Sequence, residues 1–110
     1  MRLPNAARAI VDIEKLRDYC LSENHPRGKH KARVFELVLG LTSSDVLELR
    51  DAILAAVQME EAVAGEKDEY GQRYLVDFSM MRQGREAVVR SAWIIRRGED
   101  APRLTSCYVL

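Results

Sequence analysis

The stretch YLVDFSMMRQGREAVVRSAWIIRR, residues 74–97, decides the fold class of this chain. Apolar and polar residues alternate through its first part, and Gly84 separates that part from a second run rich in valine, isoleucine and tryptophan. A period of two is typical of strands, and a glycine between two such runs is typical of a turn. The stretch therefore predicts two antiparallel strands joined as a hairpin.

A further strand is predicted after the hairpin. Residues 97–103, RGEDAPR, have the composition of a turn, and residues 104–109 are again strand-like and end almost at the last residue. Strands that follow one another at such short intervals favour an antiparallel meander, here of three to four strands.

Helical periodicity dominates the residues before this sheet. Asp12 can cap a helix that begins at Ile13 and ends near Leu21. A second helix is predicted to run from Lys29 to Gly40, where glycine can adopt the left-handed conformation that ends a helix.

A third helix is predicted within residues 42–63, where Thr42 and Asp45 have the spacing of a capping box. Each layer of secondary structure needs another layer to bury its apolar side. The order of elements therefore predicts an α+β fold in which three N-terminal helices pack on one face of the C-terminal antiparallel meander.

Length and composition limit the classes to which the protein can belong. Its 110 residues, 47% of them hydrophobic, suit a single domain over residues 1–110 with one modest core. The 17 basic and 17 acidic side chains cancel, so any affinity for nucleic acid must come from local clustering. Neither a secretory signal nor a membrane-spanning apolar run is recognisable, so we expect a cytoplasmic protein that does not bind membranes.

The sequence gives no sign of a metal site or a cofactor. Cys20 and Cys107 are its two cysteines, they lack CxxC spacing, and no paired histidines complete a metal set. They are predicted to be reduced, buried thiols. The motifs of phosphate loops, dinucleotide folds, hydrolase elbows and zinc proteases are missing as well, so we expect no metal and no cofactor.

The strongest local excess of charge is HPRGKHKAR, residues 25–33, called here the basic segment. Its charged residues are Arg27, Lys29, Lys31 and Arg33, with no acid among them. Cations at the start of a helix oppose the helix dipole, so stability alone would not select them. Together with free N–H groups and Gly28, which lets the backbone approach closely, they predict a phosphate-binding site. The alternative is a solvated turn whose compensating acids lie elsewhere, for example at Glu60, Glu61 or Glu66.

Several residues could act on a bound phosphate. His30 can serve as a general acid or base because an imidazole titrates near neutrality, although a structural role is the alternative for it, as loop anchoring is for His25. Arg90 either pairs with Asp77 on the adjoining strand or, if unpaired, can hold a phosphate oxygen in the transition state. The last strand offers hydroxyl groups at Thr105, Ser106 and Tyr108.

A run of motifs covers nearly the whole chain: LPNAARA, DIEKLRDYCL, HPRGKHKARVF, EYGQRYLVDF, VVRSAWIIRRGE and PRLTSCYVL. These motifs resemble an uncharacterised bacterial family, domain of unknown function 6883. Its members show HPxGxxKAxxF, YGxxY, RxxW and PRLxTxY, which correspond here to residues 25–35, 70–74, 90–93 and 102–108. The last motif reads PRLTSCY in this chain, so Thr105 follows Leu104 directly and the position of the family's hydroxyl differs. The resemblance implies a small bacterial domain, related to domains at the ends of toxin-like chains.

The order of helices and strands is also similar to that of small metal-independent ribonuclease toxins of the barnase, colicin and RelE kind. Those enzymes place a His or Lys from a helix and an Arg or hydroxyl from strands around the scissile phosphate. The similarity implies that His30 or Lys31 activates the ribose 2′-hydroxyl and that Arg90 holds the phosphate. Thr105, Ser106 or Tyr108 would then orient that phosphate. Fold similarity alone does not establish function, so enzymatic activity stays an open question.

Two other hypotheses do not require catalysis. The chain can be a binding or regulatory module, antitoxin-like or an operon partner, that docks a cognate protein through a sheet edge or the strand of Trp93. It can also form a homodimer in which LTSCYVL, residues 104–110, pairs across a two-fold axis. The ribonuclease hypothesis differs from both because it requires the basic segment and Arg90 to converge on one pocket that can hold RNA.

Overall fold

Four antiparallel strands form one sheet in the computed structural model, which describes all 110 residues. The strands are β1 (Ala62–Lys67), β2 (Gly71–Arg82), β3 (Arg85–Arg96) and β4 (Arg103–Val109). Each strand pairs with the next in chain order, so the sheet is a meander with β1 and β4 at its edges. The predicted α+β architecture is confirmed.

The hairpin of β2 and β3 is the longest paired unit of the sheet. Its register runs without a break from Gly71 opposite Arg96 to Arg82 opposite Arg85. Gln83 and Gly84 connect the strands with φ values of 52° and 76°. Two successive residues with positive φ form the tight turn whose twist matches that of the flanking strands. The sequence located this turn correctly.

Three helical segments precede the sheet. They are α1 (Ile13–Lys15), which continues as a π-helical turn (Leu16–Cys20), α2 (Lys29–Leu39) and α3 (Val46–Val57). The predicted caps are present: the Asp12 carboxylate accepts hydrogen bonds from the N–H groups of Glu14 and Lys15, and Gly40 ends α2 at φ 67°. Thr42 and Asp45 form the capping box before α3. None of the helices has the length and apolar character required to cross a bilayer.

Strand β1 begins inside the stretch predicted to contain the third helix, since it includes Ala62 and Val63. The helix predicted within residues 42–63 is present but ends at Val57, and Ala62 at the end of that stretch already pairs with Val76 of β2. The intervening residues have good helix propensity, but burying Ala62 against the sheet outweighs a preference of a few tenths of a kcal/mol per residue. The pairing of β1 with β2, which follows it in the sequence, therefore determines where α3 ends.

The helices cover only one face of the sheet, and the core lies between the two layers. Its largest fully buried side chains include Phe35, Leu39, Leu49, Ile53 and Val57 from the helices and Val76, Val89 and Trp93 from the strands. The Ser91 hydroxyl donates to the Val76 carbonyl oxygen and accepts from Trp93 Nε1, so the buried indole N–H is satisfied. The opposite side of the sheet, called here the open face, carries no helix.

Both cysteines lie in this core as free thiols. Burial raises the pKa of the Cys20 thiol and raises that of the Cys107 thiol well above its usual value. A thiol that resists ionisation is a poor nucleophile and a poor metal ligand. The prediction that both cysteines are buried packing residues is confirmed.

Candidate functional site

An arginine and an aspartate form an ion pair on the open face. Arg90 of β3 and Asp77 of β2 are register partners, and Arg90 Nε and Nη2 donate to the two carboxylate oxygens of Asp77 at 2.8 and 2.9 Å. The two side chains remain 31% and 37% exposed. Of the two alternatives that the sequence allowed for Arg90, the structure thus contains the pair with Asp77. The pair occupies one side of the guanidinium, while the group as a whole stays accessible to solvent.

Tyr108 joins this ion pair from the edge strand. It is the register partner of Arg90 on β4, so its side chain lies on the open face as well. The hydrogen-bonded Asp77 carboxylate and, second, the neighbouring Tyr108 raise the pKa of the Arg90 guanidinium. Arg90 is therefore a fixed positive charge, flanked by a carboxylate on one side and a phenol hydroxyl on the other.

Lys31 of the basic segment extends from α2 to Ser106 and Tyr108 at the β4 edge of the sheet. Its ammonium group donates to Ser106 Oγ at 3.1 Å and lies 4.8 Å from the centroid of the Tyr108 ring and 5.6 Å from that of Tyr19. An ammonium over a phenol ring is attracted by the negative face of the ring, which helps to hold the Lys31 side chain in this position. We call Lys31, Asp77, Arg90, Ser106 and Tyr108 the open-face cluster.

The other charged residues of the basic segment remain outside this cluster. His30 and Arg33 are exposed on α2, Arg27 is exposed in the loop before it, and Lys29 is half-buried at the helix start. No side chain of the segment forms an ion pair with a carboxylate. Of the acids suggested as compensation, Glu61 pairs with the N-terminal amine, and both Glu60 and Glu61 line a cavity with Asp77 and Arg90. The segment is thus a surface of uncompensated positive charge that continues into Lys31.

His25 anchors the loop that leads into α2. Its Nδ1 accepts hydrogen bonds from the N–H groups of Arg27 and Gly28 at 3.0 and 3.1 Å, and its ring packs edge-on against Tyr19. The loop-anchoring role considered for this residue is confirmed. Because the imidazole occupies these two N–H groups, they are not free for a phosphate, which differs from the expectation of an open helix start.

Gly28 is required for packing of the loop. A Cβ atom at this position would lie 2.0 Å from the backbone oxygen of Tyr19, which is far inside van der Waals contact. The backbone at Gly28 has φ −90°, a conformation open to any residue. Close approach to the end of the first helical segment, rather than an unusual backbone angle, therefore explains the glycine.

Replacing Gly28 with alanine should lower the free energy of unfolding by about 1–3 kcal/mol, the usual cost of forcing an extra carbon into a packed site. The matched control is Gly65→Ala, where the nearest atom to an added Cβ lies at an ordinary 3.6 Å. Urea denaturation followed by circular dichroism measures both variants. Equal stability of the two would show that the Tyr19 contact does not constrain the loop.

Thr105 occupies a bulge in the edge strand. The pairing of β3 with β4 shifts between Ala92, opposite Ser106, and Trp93, opposite Leu104, so Thr105 is the extra residue. Its hydroxyl donates to the Ala92 carbonyl oxygen at 3.1 Å. The hydroxyls that the structure brings to Lys31 and Arg90 are those of Ser106 and Tyr108, whereas that of Thr105 is used within the sheet.

The open-face cluster combines two cations, two hydroxyl groups and one carboxylate on an accessible surface. The cations and hydroxyl groups can bind a phosphate. The carboxylate can accept a proton from a bound molecule, and the ammonium group can donate one to it. Asp77 is the member whose part in such chemistry the sequence analysis missed, since it was considered only as a partner for Arg90. No three side chains of His, Cys, Asp or Glu lie close enough together to hold a metal ion.

The model of the family DUF6883, described as a domain of unknown function, matches residues 2–110. The chain belongs to this family. Among solved structures, the DUF6883 fold of this chain is similar to a chain of the "Contact-dependent growth inhibition toxin - immunity protein complex from Klebsiella pneumoniae 342". The two chains are 14% identical with a TM-score of 0.74, over 92% of this chain and 99% of that chain. At this identity the likeness concerns the fold alone. No curated protein matches this DUF6883 domain.

Proposed function

We propose that this domain binds RNA and cleaves it at the open-face cluster without a metal ion. The observation that supports the proposal is that Lys31 and Arg90 both lie next to Tyr108. A cation from the second helix and an arginine from a strand thereby meet at a hydroxyl group, as in the small ribonuclease toxins to which the element order is similar. The fold shared with a chain of a toxin–immunity complex agrees with a toxin-like domain.

The scissile phosphate binds between Arg90 and Lys31 in this proposal. A guanidinium has five N–H donors, and Asp77 takes two of those of Arg90, so the remaining donors can hold a phosphate oxygen. The Lys31 ammonium and the Tyr108 hydroxyl supply further donors. Arg27, Lys29 and Arg33 extend the positive surface and contact neighbouring phosphates of the strand, which adds affinity without sequence preference, and His30 lies exposed among them.

The reaction is a transfer of the phosphoryl group to the ribose 2′-oxygen. The Asp77 carboxylate takes the proton of the 2′-hydroxyl, the 2′-oxygen forms a bond to phosphorus, and the bond from phosphorus to the 5′-oxygen breaks. The Lys31 ammonium gives a proton to the departing 5′-oxygen. An ammonium group donates hydrogen bonds and accepts none, so Lys31 takes this acid role here in place of the activating role implied by the fold analogy. The products are a 2′,3′-cyclic phosphate and a free 5′-hydroxyl.

The proposal is tested by incubating the purified protein with a single-stranded RNA of mixed sequence in the presence of EDTA. We expect fragments that end in a 2′,3′-cyclic phosphate, identified by mass spectrometry, and no cleavage of the all-2′-deoxy strand of the same sequence. Intact RNA under these conditions would contradict the proposal, and so would cleavage that depends on added Mg²⁺.

A cognate protein partner is a second candidate function, favoured by the uncompensated charge of the basic segment. We propose that such a partner is acidic and covers the open-face cluster, as an immunity protein of a toxin would.

The homodimer through β4 stays a prediction, but Ile10 already exchanges backbone hydrogen bonds with Pro102 and Leu104 at the start of that edge. Light scattering of the purified chain measures whether the rest of the edge pairs with a second copy.

A further inference from the structure

A cavity of about 220 Å³ lies on the open face beside the open-face cluster. Residues from all four strands line it, among them Gly65, Glu66, Arg73, Leu75, Ala92 and Thr105. Leu75 and Ala92 are register partners and lie two residues from Asp77 and Arg90 along the same strands. Two residues of a strand span about 7 Å, so the cavity lies about 7 Å from the ion pair of Arg90 and Asp77. A nucleotide whose phosphate binds at Arg90 is long enough to place its base in the cavity.

We infer that this cavity is a nucleobase subsite that selects guanine. The inference rests on the proposed function, because it assigns the base next to the phosphate held by Arg90. Leu75 and Ala92 offer an apolar floor for one face of a planar base, and the Arg73 guanidinium at the rim can stack on a base. Single-stranded RNA is the form of nucleic acid whose bases are free to enter such a cavity.

Glu66 determines which base fits. It is an exposed residue at the cavity whose carboxylate has neither an ion-pair partner nor a hydrogen-bond donor in the structure. A carboxylate accepts hydrogen bonds and therefore favours a base edge that donates them. Guanine presents its N1–H and its amino group side by side, which matches the two carboxylate oxygens. Uracil presents one N–H between two carbonyl oxygens, and the carboxylate oxygens of Glu66 repel those carbonyl oxygens.

Gly65 keeps the cavity open. An added Cβ would lie 3.6 Å from the Arg73 carbonyl oxygen, which is an ordinary contact distance. A larger residue at position 65 therefore does not clash with the neighbouring backbone. Its side chain would instead extend toward the cavity. Gly65→Leu is thus a variant that fills the subsite while leaving the open-face cluster in place.

The test uses four RNA oligonucleotides that carry one G, A, C or U in an otherwise identical uridine strand, together with their all-2′-deoxy counterparts. Cleavage is mapped on the RNA, and binding of the uncleavable strands is measured by fluorescence anisotropy. We expect cleavage next to G and binding of the G strand to exceed those of the U strand by about tenfold or more, the discrimination of a bidentate base contact. Glu66→Gln should remove most of this preference, Gly65→Leu should remove it entirely, and the neighbouring Glu69→Gln should retain it.

The outcomes separate the subsite from the proposed function. Cleavage at all four bases with equal rates, unchanged in Glu66→Gln, would overturn the guanine subsite and leave the ribonuclease proposal intact. RNA that is neither bound nor cleaved by the unaltered protein would overturn both. A G preference that persists in Gly65→Leu would also overturn the subsite, because the cavity would then not be where the base binds.

Discussion

Replacing Arg90 with alanine should lower the rate of RNA cleavage by about 10²- to 10³-fold, the usual effect of removing one preorganised donor from a charged transition state. Arg90 is the fixed cation of the open-face cluster, and its removal also frees Asp77 to turn away from the ribose. The fold should persist, because an ion pair exposed to this degree contributes at most about 1 kcal/mol. Initial rates on a labelled RNA oligonucleotide measure the effect.

The matched control is Arg50→Ala. Arg50 is also partly exposed and pairs with an adjacent carboxylate, Asp51, but it lies on α3, on the opposite side of the sheet from the open face. This variant loses the same charge and should keep its activity within about twofold, since screening limits the influence of a distant surface charge. Comparable activity of both folded variants would exclude Arg90 from the reaction.

Replacing Phe35 with alanine should lower the free energy of unfolding by about 3–5 kcal/mol. The Phe35 ring lies in the centre of the core and is 0% exposed, so its removal leaves a cavity between α2 and the sheet. A loss of this size is a large part of the stability of a small domain. Urea denaturation followed by fluorescence measures it directly, because Trp93 is the one tryptophan of the chain and is buried in the same core.

Leu37→Ala on the same helix provides the control. Its side chain is 77% exposed, and the substitution should change the free energy of unfolding by less than about 0.5 kcal/mol. A Phe35→Ala variant no less stable than Leu37→Ala would contradict the packing of α2 on the sheet.

The architecture could be predicted from the sequence wherever local chemistry determines it. The cap at Asp12, the capping box at Thr42, the left-handed stop at Gly40 and the turn at Gly84 each depend on residues close together in the chain. Strand β1 could not be located in this way, because Ala62–Lys67 has no strand-like pattern of its own and is a strand by pairing with β2.

The residues of the candidate site could be named in part, but their arrangement could not. The chemistry of single residues indicates Lys31, Arg90 and Tyr108 as candidates, whereas the contact of Lys31 with Ser106 joins positions 75 residues apart and has no local signal. The register of three strands decides that Asp77 and Tyr108 flank Arg90. The alternation of apolar and polar residues predicts which side chains share a face of a strand. It does not predict which residues of other strands lie beside them, so the cavity at Glu66 could not be predicted from the sequence.

The convergence of the α2 cation and the sheet arginine on one phosphate is tested most directly by nuclear magnetic resonance. An all-2′-deoxy trinucleotide, which cannot react, is titrated into the labelled protein while the backbone amide signals are recorded. We predict that the largest shifts occur at Lys31, Arg90, Ser106 and Tyr108. Shifts confined to other surfaces, such as α3, with these four signals unchanged would contradict the assignment of the site to the open face.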